Sequence, residues 1–169
     1  MITPDDAFAI LRILAQLNPK MKEKIEALAI EYLKNINIKE IASQVYLTLN
    51  LLEVEELWDR SGATRNGYID PVDMAWGMFE EAMTPFLDEL KKYRNLSMQN
   101  QAMCYCMGIL KGIYKFEKES LVEYKDWAPD VPSEFFHQIL DDWRKSRRSR
   151  EDIKKMEEFI EKDCPDWAR

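Results

Sequence analysis

Histidine is almost missing from this chain: His137 stands alone among 169 residues. A single imidazole removes zincin sites and carboxylate di-iron bundles, which draw on histidines at several positions. Cysteine is sparse and odd in number, Cys104, Cys106 and Cys164, which excludes a disulfide framework and predicts reduced thiols in a cytoplasmic setting. Five glycines and seven prolines are too few for a turn-rich β architecture. No apolar run approaches the roughly 20 residues of a membrane span; the uncharged stretch from Ala102 to Leu110 ends at Lys111. The first residues lack the basic and continuous apolar regions of a secretion signal. Walker A, dinucleotide, nucleophile-elbow and zincin motifs are all missing. The net charge of -7 disfavours nonspecific attraction to nucleic acid or to an anionic membrane.

What is present is helical patterning. A hydrophobic content of 46% supports a real core, and the length suits one domain, residues 1–169, of all-α class. Thr3, Pro4 and Asp6 form a capping-box start to a first helix that places Ala7, Leu11, Leu14 and Leu17 on one face. Asn18-Pro19 restarts the pattern, and Met21, Ile25, Leu28 and Tyr32 follow, so the two helices are expected to pack as an antiparallel hairpin. Asn37 caps a third helix carrying Ile38, Ile41, Val45 and Leu49; a break at Asn50–Glu53 precedes a fourth that ends near Arg60.

Gly62 and Asn66-Gly67 predict a loop. Asp70, Pro71 and Asp73 then open a fifth helix whose apolar phase continues across Pro85, predicting a kink rather than a stop. Ser97 starts a sixth helix, through about Lys115, which should be the most buried. Gly108 and Gly112, one turn apart, let another backbone approach it closely. Residues 117–132 read as a long irregular crossing. Phe136, Ile139, Leu140 and Trp143 define a seventh helix, and an eighth runs from Ser149 to Cys164-Pro165. The expected architecture is seven or eight helices in successive antiparallel hairpins, either a compact bundle or a short HEAT/TPR-like stack.

Candidate sites are few. His137 lies far from the apolar face of its helix and reads as a partly exposed residue. The 62–73 loop has an EF-hand's glycine at the sixth place, but Gly62 and Thr64 are poor substitutes for its oxygen ligands, so no metal is expected. Cys104 and Cys106 diverge on a helix and read as buried thiols. No cofactor is expected.

Tyr68 and Trp127 in the two loops are interface candidates. Asp70, Asp73, Asp126 and Asp130 are the residues to test for a carboxylate-lined ligand site or active site. Arg144, Lys145, Arg147, Arg148 and Arg150 form a basic run suited to an anion or RNA. However, nine basic and nine acidic residues balance between 141 and 169, so nucleic acid is not the expected partner. Trp58 and Trp76 match core faces. Trp127 and Trp167 lie in aperiodic segments, within Asp126-Trp127-Ala128 and its echo Asp166-Trp167-Ala168. The expected function is a noncatalytic protein-protein interaction module, with a second copy of the chain as one possible partner and no membrane; a carboxylate-lined enzyme or binder, or anion/RNA binding through 144–150, are the alternatives.

Overall fold

A computed structural model describes residues 3–65, 67–146 and 149–168. Among them the chain forms eight α-helices and one two-stranded antiparallel ribbon, an all-α fold. It divides into two compact units, residues 1–36 and 37–169.

The first unit holds α1 (Pro4–Leu17) and α2 (Pro19–Lys34). The Thr3 hydroxyl accepts from the Asp6 amide while the Asp6 carboxylate accepts from the Thr3 amide at 2.9 Å, closing the capping box. Asn18 alone separates the helices; its side-chain oxygen accepts from the Lys20 and Met21 amides and caps α2. The two helices contact each other, but the contact seals no apolar core. Among the described residues of α1 and α2 none is buried, and only Ala15, Ile25 and Leu33 are partly covered.

The second unit contains the core, and every buried hydrophobic lies between Ile41 and Cys164. Its elements are α3 (Ile38–Leu49), α4 (Val54–Arg60), β1 (Gly62–Thr64), β2 (Gly67–Ile69), α5 (Pro71–Asn95), α6 (Gln99–Glu119), α7 (Val131–Ser146) and α8 (Arg150–Asp163). Two 3₁₀ turns, Glu123–Trp127 and Pro165–Trp167, complete it. The break between α3 and α4 is as expected, and α5 runs unbroken through Pro85.

The central element is α6, which packs against α3, α5, α7 and α8. A helix with four helical neighbours makes a bundle, whereas a solenoid repeat touches only the repeats beside it. The tightest pairing joins α3 to α6. A Cβ built on Gly108 would lie 2.7 Å from the Ile41 Cβ, and one on Gly112 would lie 2.5 Å from the Val45 Cβ and 2.8 Å from the Ala42 carbonyl oxygen. The contacts advance together along both helices, so α3 and α6 run parallel, a pairing that a simple series of antiparallel hairpins does not contain.

Three local expectations are corrected. Ser97 does not cap α6: its φ of 58° ends α5 in a Schellman motif, with the Ser97 amide donating to the Arg94 carbonyl and the Met98 amide to that of Tyr93. The 62–69 loop is a short ribbon in which Ala63 opposes Tyr68 and Gly62 opposes Ile69; Gly67 beside its turn and Gly62 at its open end take positive φ values that favour glycine. The irregular crossing is shorter than expected because α6 continues to Glu119. There the Lys125 ammonium caps its final turn, donating to the Glu117 carbonyl at 2.5 Å and lying 3.5 Å from the Glu117 carboxylate.

Candidate functional site

The loop aspartates are spread along the second unit and serve local structure. The Asp70 carboxylate accepts from the Val72 amide at 2.8 Å and caps α5, and Asp73 sits exposed in the first turn of that helix. Asp126 lies exposed on the first 3₁₀ turn and Asp130 exposed just before α7. None of the four lines the clefts detailed below.

The two loop regions close over the core. Tyr124, buried on the first 3₁₀ turn, donates its hydroxyl to the Ala75 carbonyl in α5. Trp127 meets Trp58 edge-on at 4.4 Å, so Trp127 is pinned. Trp58, expected in the core, is half-exposed: α4 is only seven residues long, and Val54 and Leu57 fill its inward face. Trp76 is half-buried against Phe135 at 5.6 Å. Tyr68 is exposed on β2.

The C-terminal echo of Asp126-Trp127-Ala128 has the same geometry: each tryptophan ends a 3₁₀ turn and the following alanine caps it. Trp167 packs edge-on to Phe136 at 4.9 Å and Tyr114 at 5.2 Å. Asp166 accepts from the Lys118 ammonium at 2.7 Å and the Tyr114 hydroxyl at 3.1 Å, while Lys111 reaches Asp163 at 2.5 Å. The Lys118 hydrogen bond, then that of Tyr114, holds the Asp166 carboxyl below its ordinary range.

The basic run is partly neutralised within α7. Arg144 lies 3.5 Å from Asp141 and Lys145 3.4 Å from Asp142. Both occupy the last turn, where cations complement the helix terminus. Arg150 is exposed at the start of α8, and Arg147 and Arg148 lie outside the described residues.

His137 is half-buried and faces a cleft of roughly 200 Å³ shared with Arg144, Glu157, Glu161 and Trp167. Its Nδ1 lies 2.7 Å from the Ser133 carbonyl oxygen, which can only accept, so Nδ1 carries a proton. No hydroxyl or thiol side chain lines this cleft beside the imidazole. Two adjoining clefts of roughly 300 and 340 Å³ run between α5 and α7 over Leu87 and Ile139. No group of three or more metal-ligating side chains occurs among the described residues.

Burial pushes the thiols of Cys106 and Cys164 up to about 12 and also raises that of half-buried Cys104. Cys106 and Cys164 are inert packing groups, and none of the three is an activated thiol.

The most prominent unsatisfied feature is the apolar surface of the first unit. Ten large apolar side chains on α1 and α2 are each between 37% and 82% exposed. At 100° per residue those of α1 span an arc of roughly 220°, about twice what packing against a single partner surface requires. On α2, Met21, Leu28 and Tyr32 form one narrow exposed stripe, and Ile30 is exposed on the opposite side.

Known proteins offer no likeness. The chain matches no family model, no curated protein and no solved structure. Function therefore rests on the geometry alone. Sequence reasoning centred on the loops missed the first unit as a candidate, although Phe8 and Ile13 lie outside the Ala7–Leu17 stripe and already signalled more apolar surface than one hairpin can hide.

Proposed function

We propose that this chain is a noncatalytic protein-interaction module whose docking surface is carried by the first unit. The observation that supports the reading is the set of exposed apolar side chains on two helices with no core of their own. Helices of 14 and 16 residues are marginal in water without tertiary packing, so their amphipathic faces call for a partner. Protein is favoured over membrane. The two helices carry Arg12, Lys20, Lys22, Lys24 and Lys34 against Asp5, Asp6, Glu23, Glu26 and Glu31, no net charge, whereas membrane-surface helices carry a cationic polar face. In addition, no described helix is long and apolar enough to cross a membrane. The free thiols fit a reducing, cytoplasmic setting.

A photo-crosslinking amino acid placed at Leu11 or Leu28 in the living host tests this reading. The expected result is protein adducts from both positions and none from exposed Leu121 in the second unit. Lipid adducts alone, or no adducts, would overturn it.

A further inference from the structure

We infer that the occupant of this surface is a second copy of the same unit, packed antiparallel about a two-fold axis, the head of each against the tail of the other, to make a four-helix bundle. The inference rests on the docking reading above and adds the identity of the partner. Two observations carry it: the size of the surface and the placement of its charges.

Nine of the exposed apolar side chains, all but Ile30, present on the order of 1,000 Å² of surface, against the roughly 800 Å² per partner of a stable specific interface. The width of the α1 arc matters as much. In a four-helix bundle each helix contacts two neighbours, and an arc near 220° is what α1 needs to face α2 on one side and a partner helix on the other. A self-complementary patch of this kind closes by two-fold symmetry without leaving an open apolar end.

Charge sets the direction. Around the Asn18 turn, residues 12–26 hold four basic side chains, Arg12, Lys20, Lys22 and Lys24, against Glu23 and Glu26. Toward the far ends, Asp5, Asp6 and Glu31 face only Lys34. The turn end is therefore positive and the far end negative by the same amount. A parallel pair would bring like ends together, whereas a head-to-tail pair sets each positive turn against the partner's negative ends. These charges can respond to a partner: even Lys22 and Glu26, which pair along α2, stand 3.8 Å apart and are well exposed.

Sedimentation equilibrium of the full chain up to about 100 μM is the test. The native protein is expected to dimerise. Leu11→Asp with Leu28→Asp should make it monomeric, while the urea transition of the second unit stays in place because neither residue is buried. Lys20→Glu, Lys22→Glu and Lys24→Glu together should weaken the dimer about tenfold or more at low salt. Adding Asp5→Lys and Glu31→Lys should restore it.

A native chain that remains monomeric overturns the inference, whether or not it floats with phosphatidylserine vesicles, as does a dimer indifferent to the two leucines. Loss without charge rescue overturns the head-to-tail arrangement. A monomeric chain that still crosslinks to other proteins through Leu11 or Leu28 would leave the docking reading standing and remove only the second copy.

Discussion

Replacing Gly112 with alanine sets two physical effects of opposite sign against each other. Helix propensity alone favours alanine by about 1 kcal/mol in a helix interior. Packing opposes it, because the new methyl would sit 2.8 Å from the Ala42 carbonyl oxygen and 2.5 Å from the Val45 Cβ. Neither obstacle is the end of a flexible side chain, so α3 must shift away from α6. Overpacking of this kind costs about 1–3 kcal/mol, and a clash with backbone belongs at the upper end. The net expectation is destabilisation by roughly 2 kcal/mol, or a urea midpoint lower by about 1 M at an m-value near 2 kcal/mol/M. Gly77 supplies the control. It lies inside α5 with nothing within 4 Å of its built Cβ, so Gly77→Ala should raise stability by about 0.5–1 kcal/mol. Urea unfolding followed by far-ultraviolet circular dichroism reads both. Val45→Ala should not rescue Gly112→Ala, because the Val45 Cβ and the Ala42 carbonyl stay where they are. A stabilised Gly112→Ala, or rescue by Val45→Ala, would refute the close parallel crossing.

Three further outcomes follow from local geometry. Ser97→Gly should stabilise the chain by about 1 kcal/mol in the same urea assay, since a φ of 58° strains any residue with a Cβ and leaves glycine unstrained. In the native protein at mildly alkaline pH, a thiol reagent should modify Cys104 well before Cys106 and Cys164, which become reactive only on unfolding. Because burial raises both of those thiols to about 12 from an ordinary value near 9, the unfolded chain loses their protons first, and thermal stability should fall as pH rises through that window. Asp166 has the opposite sign: its carboxyl is depressed by Lys118 and Tyr114, so the C-terminal clasp is intact above the ordinary carboxylate range. It should loosen as pH falls below that range, read as a change in tryptophan emission that Asp166→Asn abolishes.

Local chemistry was the legible part of this sequence. Thr3, Asn18, Asn37, Asp70 and Ser149 were each identifiable as helix starts, and each side chain accepts from the backbone amides it should cap. The Gly108 and Gly112 pair announced a close approach to α6 but not its source, because α3 lies far away in sequence and runs parallel. Ser97 misled, since serine before a helical pattern reads as a cap, and only the preceding turn reveals that it closes α5. The end of α6 was hidden because Lys125, which satisfies its final carbonyls, belongs to the next segment. The loop aspartates were weighed as chemistry because acids outside a periodic pattern look unspent. Asp70 is committed to a backbone amide, and no described cleft gathers the other three.

Periodicity reports which face of a helix is apolar and never what covers it. In the second unit Ile41, Val45 and Leu49 carry the same kind of stripe as Leu11 and Leu14, and all three are buried. The difference is supply. In that unit α6 provides a helix whose middle turns are largely buried, with two glycines that let α3 seat against it, and α5, α7 and α8 complete its surround. The first unit has only two short helices joined by one residue, with apolar side chains over more of α1 than α2 can face. A chain selected merely to fold would gain solubility from polar residues at Phe8, Ile13 and Leu17, since exposed apolar side chains in such numbers favour aggregation over a monomeric surface. Their retention beside a charge pattern positive at the turn and negative at the ends is what an interface requires: apolar area for affinity and opposed charges for register.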